Sequence, residues 1–108
     1  MDSLKAIYKI LERLDKAQDE DRPDFKDISA KSLGISEKRW TNVLLMMKDA
    51  RLVDGITVNG PFGQNCEYMI IIDNAKITLY GLKWLDENSA TNKILKAAKE
   101  IKDLIPGI

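Results

Sequence analysis

An α+β domain, with three helices ahead of a β-hairpin and more helix after it, is the fold these 108 residues predict. Three observations predict it. Apolar residues recur at three- and four-residue steps in the first half of the chain, the signature of helices with one buried face. A glycine-containing break of two residues separates the second and third helical stretches. Two β-branched runs then flank a stretch rich in turn formers, which reads as a hairpin.

The first helix is expected near residues 3–18, with Ser3 as N-cap and Leu4, Ile7, Tyr8, Leu11 and Leu14 as its apolar stripe. Pro23 ends any continuation, because the residue before a proline is pushed out of the helical region. A second helix is expected near 24–33, opened by Asp24 as cap and burying Phe25, Ile28 and Leu33. Gly34 follows, where a left-handed cap is cheapest without a Cβ. Ser36 caps a third helix near 36–50, which turns Trp40, Val43, Leu44 and Met47 inward. Helix, glycine turn and capped helix in this compact order form a helix-turn-helix pattern.

The hairpin is expected near 55–72. Ile56-Thr57-Val58 forms one strand, Glu67–Ile72 the other, and about seven residues from Asn59 to Asn65 join them. Thr78 caps a fourth helix near 78–88, burying Leu82 and Leu85 with Trp84 beside them. A fifth is expected near 90–105, striped by Ile94, Ala97, Ala98, Ile101, Leu104 and Ile105. A hairpin placed after a helix-turn-helix is a wing. The predicted fold is therefore a winged helix-turn-helix: one domain with a core over 1–75 and a helical extension over 76–108.

The segment Ile77-Thr78-Leu79-Tyr80-Gly81-Leu82-Lys83-Trp84-Leu85-Asp86-Glu87-Asn88 and the tail Lys99-Glu100-Ile101-Lys102-Asp103-Leu104-Ile105 resemble the YjcQ-like proteins. The close likeness covers residues 77–105; the rest agrees in element order. It implies a winged-helix-like fold, no established activity, and an origin in Gram-positive bacteria or their phages. The matching residues are architectural, so no catalytic or binding residue is carried over.

Composition narrows the chemistry. With one cysteine, Cys66, and no histidine, a zinc site built from Cys and His is excluded, and the commonest general base is missing. No phosphate-binding glycine loop opens a helix. The expectation is a protein that is not an enzyme and needs no cofactor or metal. No apolar run approaches a membrane span, and the N-terminus carries no signal-peptide pattern, so the expected location is cytoplasmic.

In a helix-turn-helix the second helix of the motif enters the major groove and reads base edges near its start. Here its outward side offers Lys38 and Asn42, flanked by Arg39 and Thr41; Ser36 is placed to hold a phosphate and Lys48 adds a cation further along. Double-stranded DNA is the partner these residues suggest. Any exposed helix also carries Lys, Arg and Asn as solvent coat, so residue types alone do not separate the two readings.

Charge weighs against strong binding. From Leu52 to Ala75 there is no Lys or Arg, and residues 15–27 hold six acids against three bases. Lys38, Arg39, Lys48 and Lys31 would give about four phosphate contacts and a salt slope of about −3 to −4, so high affinity would need a dimer. A second reading is contact with another protein through Leu45, Met46 and Phe62, which fall outside the core stripes. For each of these, packing inside the fold is the plainer alternative. The last helix, 90–105, is expected either to dock on the first or to pair in a homodimer, with Lys93, Lys96, Lys99 and Lys102 on its solvent side. Trp40 and Trp84 are expected as core anchors, and Cys66 as a small packed residue.

Overall fold

The structure is a computed structural model that describes residues 2–89. Within them the fold is α+β, with four α-helices and two small antiparallel sheets, an arrangement compatible with a winged helix. The order is α1 (Ser3–Ala17), a 3₁₀ turn (Lys26–Ile28), α2 (Ala30–Leu33), α3 (Glu37–Asp49), β1 (Val53–Asp54), β2 (Thr57–Phe62), β3 (Glu67–Ile71), β4 (Lys76–Ile77) and α4 (Leu79–Glu87). The expected helix over 90–105, and the homodimer contact placed on it, lie outside the described residues.

The cap of α1 lies one residue earlier than expected. The backbone N–H of Lys5 donates to Asp2 Oδ1 at 2.8 Å, so Asp2 is the N-cap and Ser3 is already helical. A carboxylate both satisfies the free amide and favours the positive end of the helix dipole. The buried stripe is Ala6, Ile7, Ile10, Leu11 and Leu14. Leu4 is 68% exposed and Tyr8 is half-buried. The stripe is thus rotated from the expected one, and Ala6 is fully buried within it.

The expected second helix is broken in two. Ser29 is extended, with φ −72° and ψ 162°, and its Oγ accepts the Ser32 amide at 3.2 Å. A 3₁₀ turn therefore precedes it and a four-residue helix follows. Asp24 caps no helix; its carboxylate accepts the Lys26 amide at 2.9 Å in a local turn. Phe25, Ile28 and Leu33 are buried as expected. Gly34 adopts the left-handed conformation (φ 69°) and returns its amide to Lys31 O, which turns the chain into α3.

α3 crosses α1 through Val43, Leu44 and Met47, all at most 1% exposed. Trp40 is half-buried against the same core and donates its indole N–H to Ile28 O at 2.9 Å, tying α3 to the 3₁₀ turn. Burial of these groups with Phe25, Ile28, Leu33, Val53 and Ala75 gives one core.

The β elements form two antiparallel pairs, β1 with β4 and β2 with β3. The pairing of Val53 with Ile77 and Asp54 with Lys76 closes the base of the hairpin, a feature not expected from sequence. The first strand of the hairpin runs longer than expected, because β2 continues to Phe62 across an irregularity between Asn59 and Phe62, while the second ends one residue early at Ile71. Pro61 sits inside that irregularity, as a residue without an amide must in a paired strand. The loop shrinks to Gly63–Cys66.

α4 is capped as expected: Thr78 Oγ1 accepts the Gly81 amide at 3.0 Å. Its buried residue is Gly81, however, while Leu82, Trp84 and Leu85 are half-buried. Gly81 lies against the chain leaving α3, where an added Cβ would fall 2.3 Å from Leu52 O. Among the described residues no helix is long and apolar enough to cross a membrane.

Candidate nucleic-acid interface

The expected reading face belongs to α3, and its first turn is fixed by local chemistry. Ser36 Oγ accepts the Arg39 amide at 3.1 Å while Ser36 O accepts that of Trp40 at 2.9 Å. Ser36 therefore holds the helix start before it holds anything else. With Trp40, Val43, Leu44 and Met47 inward, the opposite side carries Lys38 and Asn42, both exposed.

The hairpin stands beside this face. Glu37, Lys38, Thr41 and Asn42 of α3 share an open cleft of about 540 Å³ with Asn65, Cys66, Glu67 and Tyr68 at the hairpin turn. Lys38, Thr41 and Asn42 are brought together on the hairpin side, with Thr41 half-buried. Arg39 is not with them. Two positions from Thr41 on a helix means nearly opposite flanks, and the Arg39 guanidinium reaches back to Ser3 Oγ at 3.4 Å, towards the start of α1. Lys48 lies exposed in the last turn. Lys38, Arg39 and Lys48 make no ion pair among the described residues.

The electrostatics are mixed. Glu37 and Glu67 line the same cleft as Lys38, and Asp49 stands exposed near the far end of the helix. The acidic stretch before α2 is partly neutralised by a residue that sequence reading passed over. Arg13, its side chain only 12% exposed, binds both carboxylate oxygens of Glu20, pairs with Asp27 Oδ2 at 3.2 Å, and donates to Asp24 O at 2.9 Å. The guanidinium carbon also sits 5.4 Å from the centre of the Phe25 ring. The hydrogen bond from Arg13 holds the Glu20 carboxyl below its ordinary range, and the same bond raises the Arg13 pKa. Its partners Glu20 and Asp27 stand seven and fourteen residues further along, beyond the end of α1, so no periodicity in the sequence pointed to the pairing.

The apolar residues named for partner contact divide. Leu45 is half-buried, Met46 is 50% exposed and Phe62 is 53% exposed. Met46 lies on the Arg39 flank of α3, two positions from Lys48 and away from the cleft. Phe62 belongs to a patch on the hairpin that sequence reading missed. Thr57 pairs with Ile71, Asn59 with Met69 and Phe62 with Glu67, and paired residues share a face. Met69 (55% exposed) and Ile71 (38%) therefore project outward from the face opposite Val58 and Ile70. Cys66, expected to be packed, is exposed at the turn with φ 51°. A four-residue loop with a left-handed residue leaves its side chain nothing to pack against.

No curated protein and no solved structure matches this chain. A family model described as YjcQ protein matches residues 8–104, nearly the whole length, and reaches well beyond the segment that carried the resemblance. The chain belongs to the YjcQ family.

Proposed function

We propose that the domain is a winged helix that binds double-stranded DNA, as a regulatory module of bacterial or prophage type, with α3 laid in the major groove and the hairpin turn beside it. The observation that carries the reading is the row Lys38, Thr41 and Asn42 on a capped helix, opening into the cleft shared with Asn65–Tyr68. Lys and Asn suit guanine and adenine edges, and the free amides at the start of α3 suit a phosphate. The cations Lys38, Arg39 and Lys48 have no carboxylate partner among the described residues, so no internal ion pair must break on binding.

Three cations imply weak binding. The expected slope of log K against log salt is about −3, and tight binding needs two copies of the chain. A mobility-shift titration with mixed-sequence duplex at two salt concentrations tests this. Binding at low salt that collapses at high salt is expected, with Lys38→Ala reducing the slope by about 0.9. No binding at low salt by folded protein ends the reading.

A second reading, contact with another protein, is favoured by one observation: Phe62, Met69 and Ile71 are exposed on one face of a hairpin that carries no cation. Monomers seldom display such a cluster without use for it. Under that reading the titration shows no shift, and Phe62→Ser with Met69→Ser abolishes partner binding while leaving the fold intact.

A further inference from the structure

We propose that the hairpin holds the sugar–phosphate backbone of a bound duplex with two uncharged donors, the Tyr68 hydroxyl and the Asn65 side-chain amide. The proposal rests on the DNA reading above and names what the second wall of the cleft contributes to it. Residues 52–75 contain no Lys or Arg, so any grip from the hairpin is made without a cation. Side chains alternate along β3: Met69 and Ile71 face outward, Ile70 packs on the core, and Tyr68 shares the side of Ile70. That side meets α3, and Tyr68 and Asn65 line the cleft with Lys38, Thr41 and Asn42. Tyr68 keeps 41% of its surface exposed there.

Bonding points the same way. Among the described residues, the side chains of Lys38, Thr41, Asn42, Asn65 and Tyr68 have no hydrogen-bond partner, so the polar groups of both walls are free to receive a ligand. A helix in the major groove lies between two backbone strands, and a wall standing beside its flank meets the strand on that side. Tyrosine and asparagine are among the side chains that bond phosphate oxygens. Neutral donors release no counterions, so their share of the affinity carries no salt slope. Glu37 and Glu67 border the same cleft, Glu67 from the other face of β3, and their charge opposes a phosphate there.

Duplex titrations at several salt concentrations test the grip, using the full chain as wild type, Tyr68→Phe, Asn65→Ala and Glu67→Gln. The first two variants should each weaken binding at least about fivefold at every salt concentration and leave the slope at about −3. The loss should be the same for duplexes of different sequence, as a backbone contact requires. Glu67→Gln should tighten binding about two- to threefold at low salt, a gain that fades as salt rises. Tyr68→Phe binding within twofold of wild type overturns the grip. So does a changed slope in that variant, a loss confined to particular sequences, or a Glu67→Gln protein that binds no tighter. Any of these results with wild type still bound refutes the grip alone; wild type that binds no duplex at low salt refutes the DNA reading and the grip with it.

Discussion

Gly81→Ala is a substitution for which helix propensity and packing predict opposite signs. In an exposed helix interior, alanine in place of glycine gains about 0.8–1.0 kcal/mol. At position 81 the added Cβ would stand 2.3 Å from Leu52 O and 2.7 Å from Ile77 Cγ1. Ordinary contact needs about 1 Å more, and an overpacked site typically costs about 1–3 kcal/mol. Retreat of the Leu52 carbonyl would also strain the bond it accepts from the Thr78 amide at 3.1 Å. A hydrogen bond is worth about 1 kcal/mol net. Taking about 2 for the overlap and about 1 for the bond, less about 1 for propensity, gives a net loss of about 2 kcal/mol. That is a fall in Tm of roughly 10 °C for a domain of this size. Thermal and urea unfolding followed by circular dichroism measure it, with Lys83→Ala on the exposed side of α4 as the near-neutral control. A midpoint equal to or above wild type would refute the close packing of α4 on the β1–β4 junction.

Other consequences are as direct. Ser36→Ala removes the side-chain acceptor for the Arg39 amide and should cost about 1 kcal/mol, read as a lower urea midpoint with faster exchange in the first turn of α3. The Glu20 carboxyl is held below its ordinary value by Arg13, so its contribution is present above the unfolded pKa of 4.5 and is lost as pH falls through the folded pKa. Stability should therefore decline as the pH falls below 4.5, and Arg13→Met should make that decline shallower; an identical acid limb in both proteins would contradict the pairing. Because Cys66 is exposed at the hairpin turn, a thiol reagent should modify it in the native state at close to the rate seen in denaturant. Slow modification would place the turn against something.

What the sequence disclosed was set by local chemistry. Gly34, Ser36 and Thr78 act through atoms three or four residues away, and each does what its residue type suggested. The core face of α3 was legible because Trp40, Val43, Leu44 and Met47 leave one way to turn the helix. α1 offered two neighbouring stripes, and a pattern of large residues chose Leu4 and Tyr8 over Ala6 and Ile10. Alanine carries little weight in such a pattern, yet it is what fits where elements meet. The break at Ser29 was hidden because Phe25, Ile28 and Leu33 have the same spacing in a 3₁₀ turn followed by a short helix as in one continuous helix. The β1–β4 pairing joins residues more than twenty apart through two-residue strands, too short for any alternation to show. Arg13 and its acids could be recognised only once the linker had folded across α1.

The candidate interface was half legible for the same reason. Helical geometry placed Lys38 and Asn42 outward, but the position of the hairpin decides which flank they share. It gathers Thr41 with them and leaves Arg39 and Met46 on the other side.

Titration of isotope-labelled protein with a short duplex at low salt, followed by backbone amide shifts, is the most direct test of that geometry. DNA binding through the cleft requires Lys38, Thr41 and Asn42 to move together with Asn65–Tyr68, while Phe62, Met69 and Ile71 stay still. Shifts absent throughout, or confined to the outward face of the hairpin, would mean that α3 does not read DNA.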